Sequence, residues 1–313
     1  MAKSNKCPAL QQKGKVRIIA PSSACSQKEF VQSIEWLRSV GLEPLYRADL
    51  IDQAEFCYSD KLKQRVKDFK AALSERQSRL IWCLRGGYGA LKLIPELKLL
   101  KNPTSPKVLV GLSDITVLHM IAKSLGLKTL HAPVLTRMAR GIQPENLEIL
   151  NLIFGRSQTV VFEGLVPKNK LAGKQSRMVG KVWGGNLTTL ASLVGTKYQL
   201  KSKGSFVFLE DVQERGYRVD RYLEMLLQNG CFSGAKAIFF GDIVGGDEPD
   251  GKNWIDYVIK DFSSRVKIPV YTGIPSGHGE IQRPVPFGTD AVLDATFDSR
   301  TPKISLSVES PFL

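Results

Sequence analysis

Two rhythms of apolar residues alternate along the first half of the chain. Short apolar-rich runs at 15–20, 80–84 and 108–110 have the length and composition of strands buried on both faces. Between them, apolar residues recur at helical spacing: Phe30, Ile34 and Leu37 ahead of Gly41; Leu62, Val66, Phe69 and Leu73; Leu93 and Leu97; and Leu118, Ile121, Ala122 and Leu125. A further strand is predicted at 128–130 and a helix at 145–154. Strands alternating with helices in this way predict the α/β class with a doubly wound parallel sheet. In such sheets ligands gather at the carboxyl ends of the strands.

The rhythm lapses over 156–177, a stretch of Gly, Pro, Lys, Ser and Asn that reads as a linker between a domain at 1–155 and another at 178–313. Beyond it the pattern predicts a strand at 178–183, a Gly184-Gly185-Asn186 turn and a helix through Leu187, Leu190, Ala191 and Val194. A strand at 206–209 ends at Glu210-Asp211, and it is followed by a helix at 218–228, a strand at 237–240, a helix at 254–262 and β structure from Pro286 onward.

Composition changes this picture little. The 313 residues hold 44 Lys and Arg against 30 Asp and Glu, a net charge of +14, but the basic residues are scattered and form no basic helix, zinc-finger spacing or RNA-binding aromatic signature. The charge reads as a surface property, and no nucleic-acid partner is expected. Cys7, Cys25, Cys57, Cys83 and Cys231 are odd in number and irregularly spaced, which suggests neither a disulfide framework nor a zinc site. No signal peptide and no membrane insertion are expected, so a reducing cytoplasm fits.

The candidate chemistry begins at Gly111-Leu112-Ser113-Asp114, a turn between the 108–110 strand and a helix. Strand, turn and helix with serine at the apex is the layout of a nucleophile elbow, although the usual glycine two residues on is here Ile115. A lone serine before a helix is ordinarily a cap, so Ser113 needs partners to be read as a nucleophile. A base must take its proton, and there are three histidines. His119 lies six residues on along the elbow helix, turned away from the apex; His131 ends a strand; His278 sits in a Ser-Gly-His-Gly loop, leaving the base open between the last two. Glu210, Asp211 and Glu214 follow a strand and can supply the acid that orients the base or simply cap the next helix; Glu210 adjoins the apolar run directly. Arg85-Gly86-Gly87-Tyr88-Gly89 matches no phosphate-loop pattern, and the backbone amide of Gly87 with that of Asp114 suits an oxyanion hole. Three dispersed histidines and no His-Glu-x-x-His leave metal chemistry without support.

In this order, Arg85-Gly86-Gly87-Tyr88-Gly89, Gly111-Leu112-Ser113-Asp114, Gly184-Gly185-Asn186-Leu187, Leu209-Glu210-Asp211 with Glu214 and Tyr217-Arg218, and Gly277-His278-Gly279 resemble the serine LD-carboxypeptidases, or muramoyltetrapeptide carboxypeptidases. The resemblance runs from about residue 15 to 295. It implies an N-terminal flavodoxin-like parallel sheet domain and a C-terminal α/β domain with a β-rich or barrel-like part, with the active site between them. It also implies a Ser-Glu-His triad that removes the terminal D-alanine of murein tetrapeptide in peptidoglycan turnover without a metal or other cofactor. Carried over by motif, the triad falls on Ser113, Glu210 and His278, which decides the base for His278. A muropeptide is the expected partner, and a homodimer is compatible with the chain. Arg85 suits a free substrate carboxylate or a structural ion pair; Trp183 and Asn186 suit substrate contacts, with core packing the alternative for Trp183. At His131-Ala132-Pro133 many relatives have His-Gly-Pro. Two other functions stay open: hydrolysis of peptidyl-nucleotide antibiotics in self-immunity, and non-catalytic binding of an anionic metabolite with Ser113 as a cap.

Overall fold

The computed structural model describes residues 6–97, 100, 102–103, 105–141, 144–174, 177–297 and 302–313. The chain divides into two compact units, Met1–Gln158 with Pro311–Leu313, and Thr159–Ser310.

The first unit is built on β1 (Gly14–Ile19), β2 (Leu42–Leu45), β3 (Leu80–Cys83), β4 (Val108–Gly111) and β5 (Lys128–His131). They are paired in parallel in the order β5-β4-β3-β1-β2, which is the flavodoxin-like order. Every residue of β3 and β4 is buried, as their unbroken apolar runs require. Nothing in the apolar pattern marks β2, Leu-Glu-Pro-Leu; its proline lacks an amide donor and is tolerated because β2 takes the outer position beside β1. The helices are α1 (Gln27–Ser39), α2 (Leu62–Ser74), α3 (Thr116–Ser124), α4 (Leu135–Ala139) and α5 (Glu148–Ile153). α1 starts at a capping box in which Ser26 Oγ accepts from the Glu29 amide and the Glu29 carboxylate accepts from Ser26 N. The segment carrying Leu93 and Leu97, expected as an ordinary helix, is a 3-10 helix, Ala90–Leu97. Pro95 inside it cannot donate to an α-helical ladder.

The second unit contains β6 (Thr159–Phe162), β7 (Val166–Pro167), β8 (Arg177–Asn186), β9 (Phe206–Val212), β10 (Ala237–Val244), β11 (Val270–Thr272), β12 (Val285–Phe287), β13 (Asp290–Phe297) and β14 (Pro302–Glu309). Eight of these form one mixed, open sheet in the order β6-β14-β13-β8-β9-β10-β11-β7, parallel from β8 to β11 and antiparallel outside that block. β12 lies beside β8, where the Gly288 amide donates to Val182 O at 3.1 Å. The helices are α6 (Leu187–Ser192), α7 (Gly216–Gln228) and α8 (Ile255–Arg265). Aromatic side chains dominate the core: Phe206, Phe208, Phe239, Phe240, Phe262 and Tyr271 are all sealed from solvent, and Phe239 stacks on Tyr271 with ring centroids 5.2 Å apart.

Two local expectations change. The 156–177 stretch, read as a linker, carries β6 and β7, which supply the two outer strands of this sheet; short strands on a sheet edge show little periodicity because only part of each is buried. Gly184-Gly185-Asn186, read as a turn, continues β8 and pairs with Phe208, Leu209 and Glu210 of β9. A Cβ on Gly184 would collide with Phe208 O, so glycine there allows close strand approach, not a reversal. No helix of the described residues is long and apolar enough to cross a membrane.

Candidate active site

In the first unit three turns at the carboxyl ends of β1, β3 and β4 meet. After β1, Ser23 N donates to Gly86 O at 3.1 Å and Ser23 Oγ accepts from Tyr88 N at 3.0 Å, joining the first turn to the second. After β3, Gly87 adopts φ +94°, and any side chain there would run into Ser23 Oγ. After β4, Leu112 leads into a 3-10 turn, Ser113–Ile115, and then α3. The turns are close-packed: a Cβ on Gly86 would lie 3.0 Å from Ser113 Cβ.

Ser113 has φ +66°, a left-handed conformation that costs a non-glycine residue about 1 kcal/mol or more. Such strain marks the apex of a nucleophile elbow. The capping alternative finds no support, because neither the 3-10 turn nor α3 has a side-chain cap hydrogen bond. Asp114 has a separate, structural role. Its buried carboxylate accepts from Ala90 N at 2.7 Å, which ties the β4 turn to the one after β3. Burial raises its carboxyl above the usual range, against the Ala90 hydrogen bond, the nearby Ser22 hydroxyl and the Arg65 charge. Among the described residues neither the Gly87 nor the Asp114 amide donates a hydrogen bond within the chain, as two oxyanion donors should be.

Arg65 escaped the sequence reading. It is 2% exposed and donates to Asp60 O at 3.0 Å, Pro21 O at 2.7 Å and Gly89 O at 3.0 Å, so one guanidinium stitches the β1 and β3 turns together. The available signal was its position: Leu62, Arg65, Val66 and Phe69 fall on one helical face, and a cation on an apolar stripe needs buried acceptors. Arg85 is exposed and donates to Ala24 O at 2.7 Å. His119 is fully buried with Nε2 2.9 Å from Gly111 O, and desolvation pushes its imidazole down to about 4. His131 is also fully buried, its ring centroid 6.0 Å from that of His119.

In the second unit the parallel strands β9, β10 and β11 bring the remaining chemistry together at their carboxyl ends. Glu210 lies within β9, not beyond it as the apolar run suggested, and is wholly buried. Its Oε2 is 2.7 Å from His278 Nδ1, in the loop after β11. Desolvation pulls the imidazole down, but the Glu210 charge and hydrogen bond outweigh it, so His278 is raised above the ordinary histidine value. With Nδ1–H donating to Glu210, Nε2 carries the lone pair of the neutral ring. Burial raises the Glu210 carboxyl, and the neighbouring imidazole opposes that shift.

The glycines flanking His278 make this approach possible. A Cβ on Gly277, which has φ +137°, would lie 3.0 Å from both Cβ and Oε2 of Glu210. Asn186, paired with Glu210 in the sheet register, caps α6 by accepting from Thr189 N at 3.0 Å. Its amide donates to Asp211 Oδ1 at 2.7 Å, and its side chain also hydrogen-bonds Glu210. Asp211 accepts as well from Thr188 N at 2.9 Å. Trp183 is 6% exposed and packs near Phe287, centroids 6.0 Å apart, as a core tryptophan does. Asp242 was also missed, although Gly241-Asp242 follows the apolar run at 237–240 much as Glu210 follows 206–209. Among the described residues no group of three or more His, Cys, Asp or Glu is arranged to hold a metal ion.

These features have counterparts in known proteins. The family model for the LD-carboxypeptidase N-terminal domain matches residues 16–132, and that for the C-terminal domain matches residues 179–293. The chain is 32% identical over 290 residues to the murein tetrapeptide carboxypeptidase of Pseudomonas aeruginosa, covering 90% of this chain and 93% of that protein. It is 30% identical over 279 residues to a putative carboxypeptidase of Rickettsia conorii, covering 88% and 86%. The crystal structure of muramoyltetrapeptide carboxypeptidase from Oxalobacter formigenes superposes with a TM-score of 0.81 at 27% identity, covering 94% of this chain and 98% of that one. Two domain models in the order of the two units, with relatives spanning nearly the whole chain, establish that the protein belongs to the serine LD-carboxypeptidase family.

Proposed function

We propose that the protein removes the terminal D-alanine from murein tetrapeptide by cleaving its L,D bond, with Ser113, Glu210 and His278 as the catalytic triad. The observation that carries the reading is the Glu210–His278 pair: a sealed carboxylate 2.7 Å from Nδ1 of an imidazole whose Nε2 can accept a proton. His278 Nε2 takes the Ser113 hydroxyl proton as Oγ adds to the carbonyl of the L residue. The amides of Gly87 and Asp114 hold the oxyanion, and the imidazolium returns its proton to the departing D-alanine amine. Water then attacks the acyl-enzyme by the same relay in reverse. Arg85 receives the free carboxylate of the substrate and Asn186 orders Glu210. Five cysteines, all free among the described residues, accord with a cytoplasmic site of action on recycled muropeptides.

Mass spectrometry of purified murein tetrapeptide after incubation tests the reading. Loss of one alanine, abolished in Ser113→Ala, is expected. An unchanged tetrapeptide alongside cleavage of a peptidyl-nucleotide would replace the substrate, and turnover retained in Ser113→Ala would remove the nucleophile.

A further inference from the structure

We infer that Asp242 is a positioning residue for His278: a bulge in β10 turns its carboxylate onto the Gly277-His278-Gly279 loop, where it braces the backbone that carries the imidazole. The inference rests on His278 being the base, as proposed above.

The register between β9 and β10 shifts between Phe240 and Ile243, so Gly241-Asp242 stands out of the regular ladder. Bulges of this kind re-aim side chains and gather near active sites. Here the bulge brings two contacts to one loop. Asp242 N donates to Ser276 O at 2.9 Å, and the Asp242 carboxylate lies against the Gly279 backbone, whose amide favours its charged form, so the contacts fall one residue on each side of the Gly277-His278 pair. The packing admits nothing larger than glycine. A Cβ on Gly279 would lie 2.6 Å from Asp242 Oδ2, one on Gly277 would lie 3.3 Å from Asp242 Cβ, and one on Gly241 would collide with Ser276 O. Gln282, 4% exposed, holds the next peptide of the loop by donating to Gly279 O at 3.0 Å. The loop is therefore clamped from β10 and from its own continuation.

The charges around His278 are one-sided. Glu210 adjoins it from β9 and Asp242 from β10, the Asp211 carboxylate is held by Asn186 and Thr188 one residue along β9, and the charges of all three raise its affinity for a proton. On its own loop Glu280 is exposed, and Arg283 is turned onto the Phe162 ring, 4.9 Å from the centroid, toward β6. Glu210 makes the Nδ1 hydrogen bond, so Asp242 acts on the ring through the loop and through its charge. Keeping that charge has a cost, since burial, and then the Glu210 charge, raise the Asp242 carboxyl to about 6. A carboxylate held against its own preference beside a catalytic loop serves function more than stability.

The test compares Asp242→Asn, which keeps a polar side chain of the same shape against the Gly279 backbone but removes the charge, with Asp242→Ala, which removes both. In the full-length protein, the His278 imidazole is titrated by NMR, and kcat and KM for murein tetrapeptide are measured against pH. In Asp242→Asn the His278 titration and the acidic limb of kcat/KM are expected to move together to lower pH, with plateau kcat held within about threefold. In Asp242→Ala the freed loop is expected to lower plateau kcat about 10- to 100-fold with KM changed less than threefold. A His278 titration unmoved in Asp242→Asn, or a plateau kcat unmoved in Asp242→Ala, overturns the inference. The NMR arm needs no turnover, so failure here is told apart from failure of the functional reading, which would show as full activity in His278→Ala.

Discussion

Gly277→Ala tests whether the approach of His278 to Glu210 depends on the bare backbone beside it. At φ +137° an alanine meets backbone strain of about 1–3 kcal/mol. Its Cβ would also sit 3.0 Å from Cβ and Oε2 of Glu210, a side chain that is sealed in the core and tied to His278, so little can give way. Overpacking of this kind adds about 1–2 kcal/mol, and the reduced freedom of the unfolded chain returns about 0.4–1 kcal/mol. The net loss is about 2–4 kcal/mol, or about 5–15 °C in the melting temperature of a unit of this size. Relief of the clash must displace the imidazole, so kcat/KM should fall about 10- to 100-fold. Gly251→Ala is the control: it too has positive φ, +80°, but nothing within 4 Å of a Cβ. It should lose only about 1 kcal/mol and no activity. Calorimetry and steady-state kinetics on the two variants decide the matter. If Gly277→Ala melted with Gly251→Ala and kept wild-type kcat/KM, the requirement for glycine in the Glu210–His278 approach would be refuted.

Three further outcomes follow from the same geometry. Ser113→Ala and Ser113→Gly should both lose about 10⁴-fold or more in kcat/KM, while Ser113→Gly, free of the left-handed strain, melts at or above the Ser113→Ala variant; the reverse order in calorimetry would contradict strain at the elbow. Glu210→Gln removes the charge that raises His278, so the acidic limb of the pH profile should move to lower pH and kcat fall by about 10³–10⁴, and a limb that moved upward would sink the pairing. Asp242, raised from 3.8 to about 6, favours folding in its protonated form, a contribution fully present below pH 3.8 and lost as pH rises through 6. Because the group is partly exposed, Asp242→Asn should gain about 1 kcal/mol near pH 7.5 by denaturant unfolding and nothing below pH 3.8; equal stability at both pH values would count against a burial penalty at Asp242.

Residue pattern alone carried most of the first unit. Runs such as Leu-Ile-Trp-Cys and Val-Leu-Val are legible because a strand buried on both faces must be apolar throughout, and helices such as α2 are legible because one face must be. The weak points were elements whose reason lies elsewhere in the fold. β2 contains a proline that only an outer position tolerates, β6 and β7 are short outer strands, and Gly184-Gly185 imitates a turn while serving strand contact. The motifs around Ser113, Glu210 and His278 named the chemistry by resemblance, since spacing left His131 and His278 equal.

The α/β class, the alternation of elements and the residue types that a serine hydrolase needs are therefore written in the chain itself. The pairing of His278 with Glu210, the left-handed backbone at Ser113, and the places of Arg65 and Asp242 emerge only once the chain is folded. The physical reason is range. Burial patterns are written residue by residue along the chain, whereas a hydrogen bond between positions 68 residues apart, or a glycine required because another strand passes 3 Å away, depends on which elements the sheet brings together.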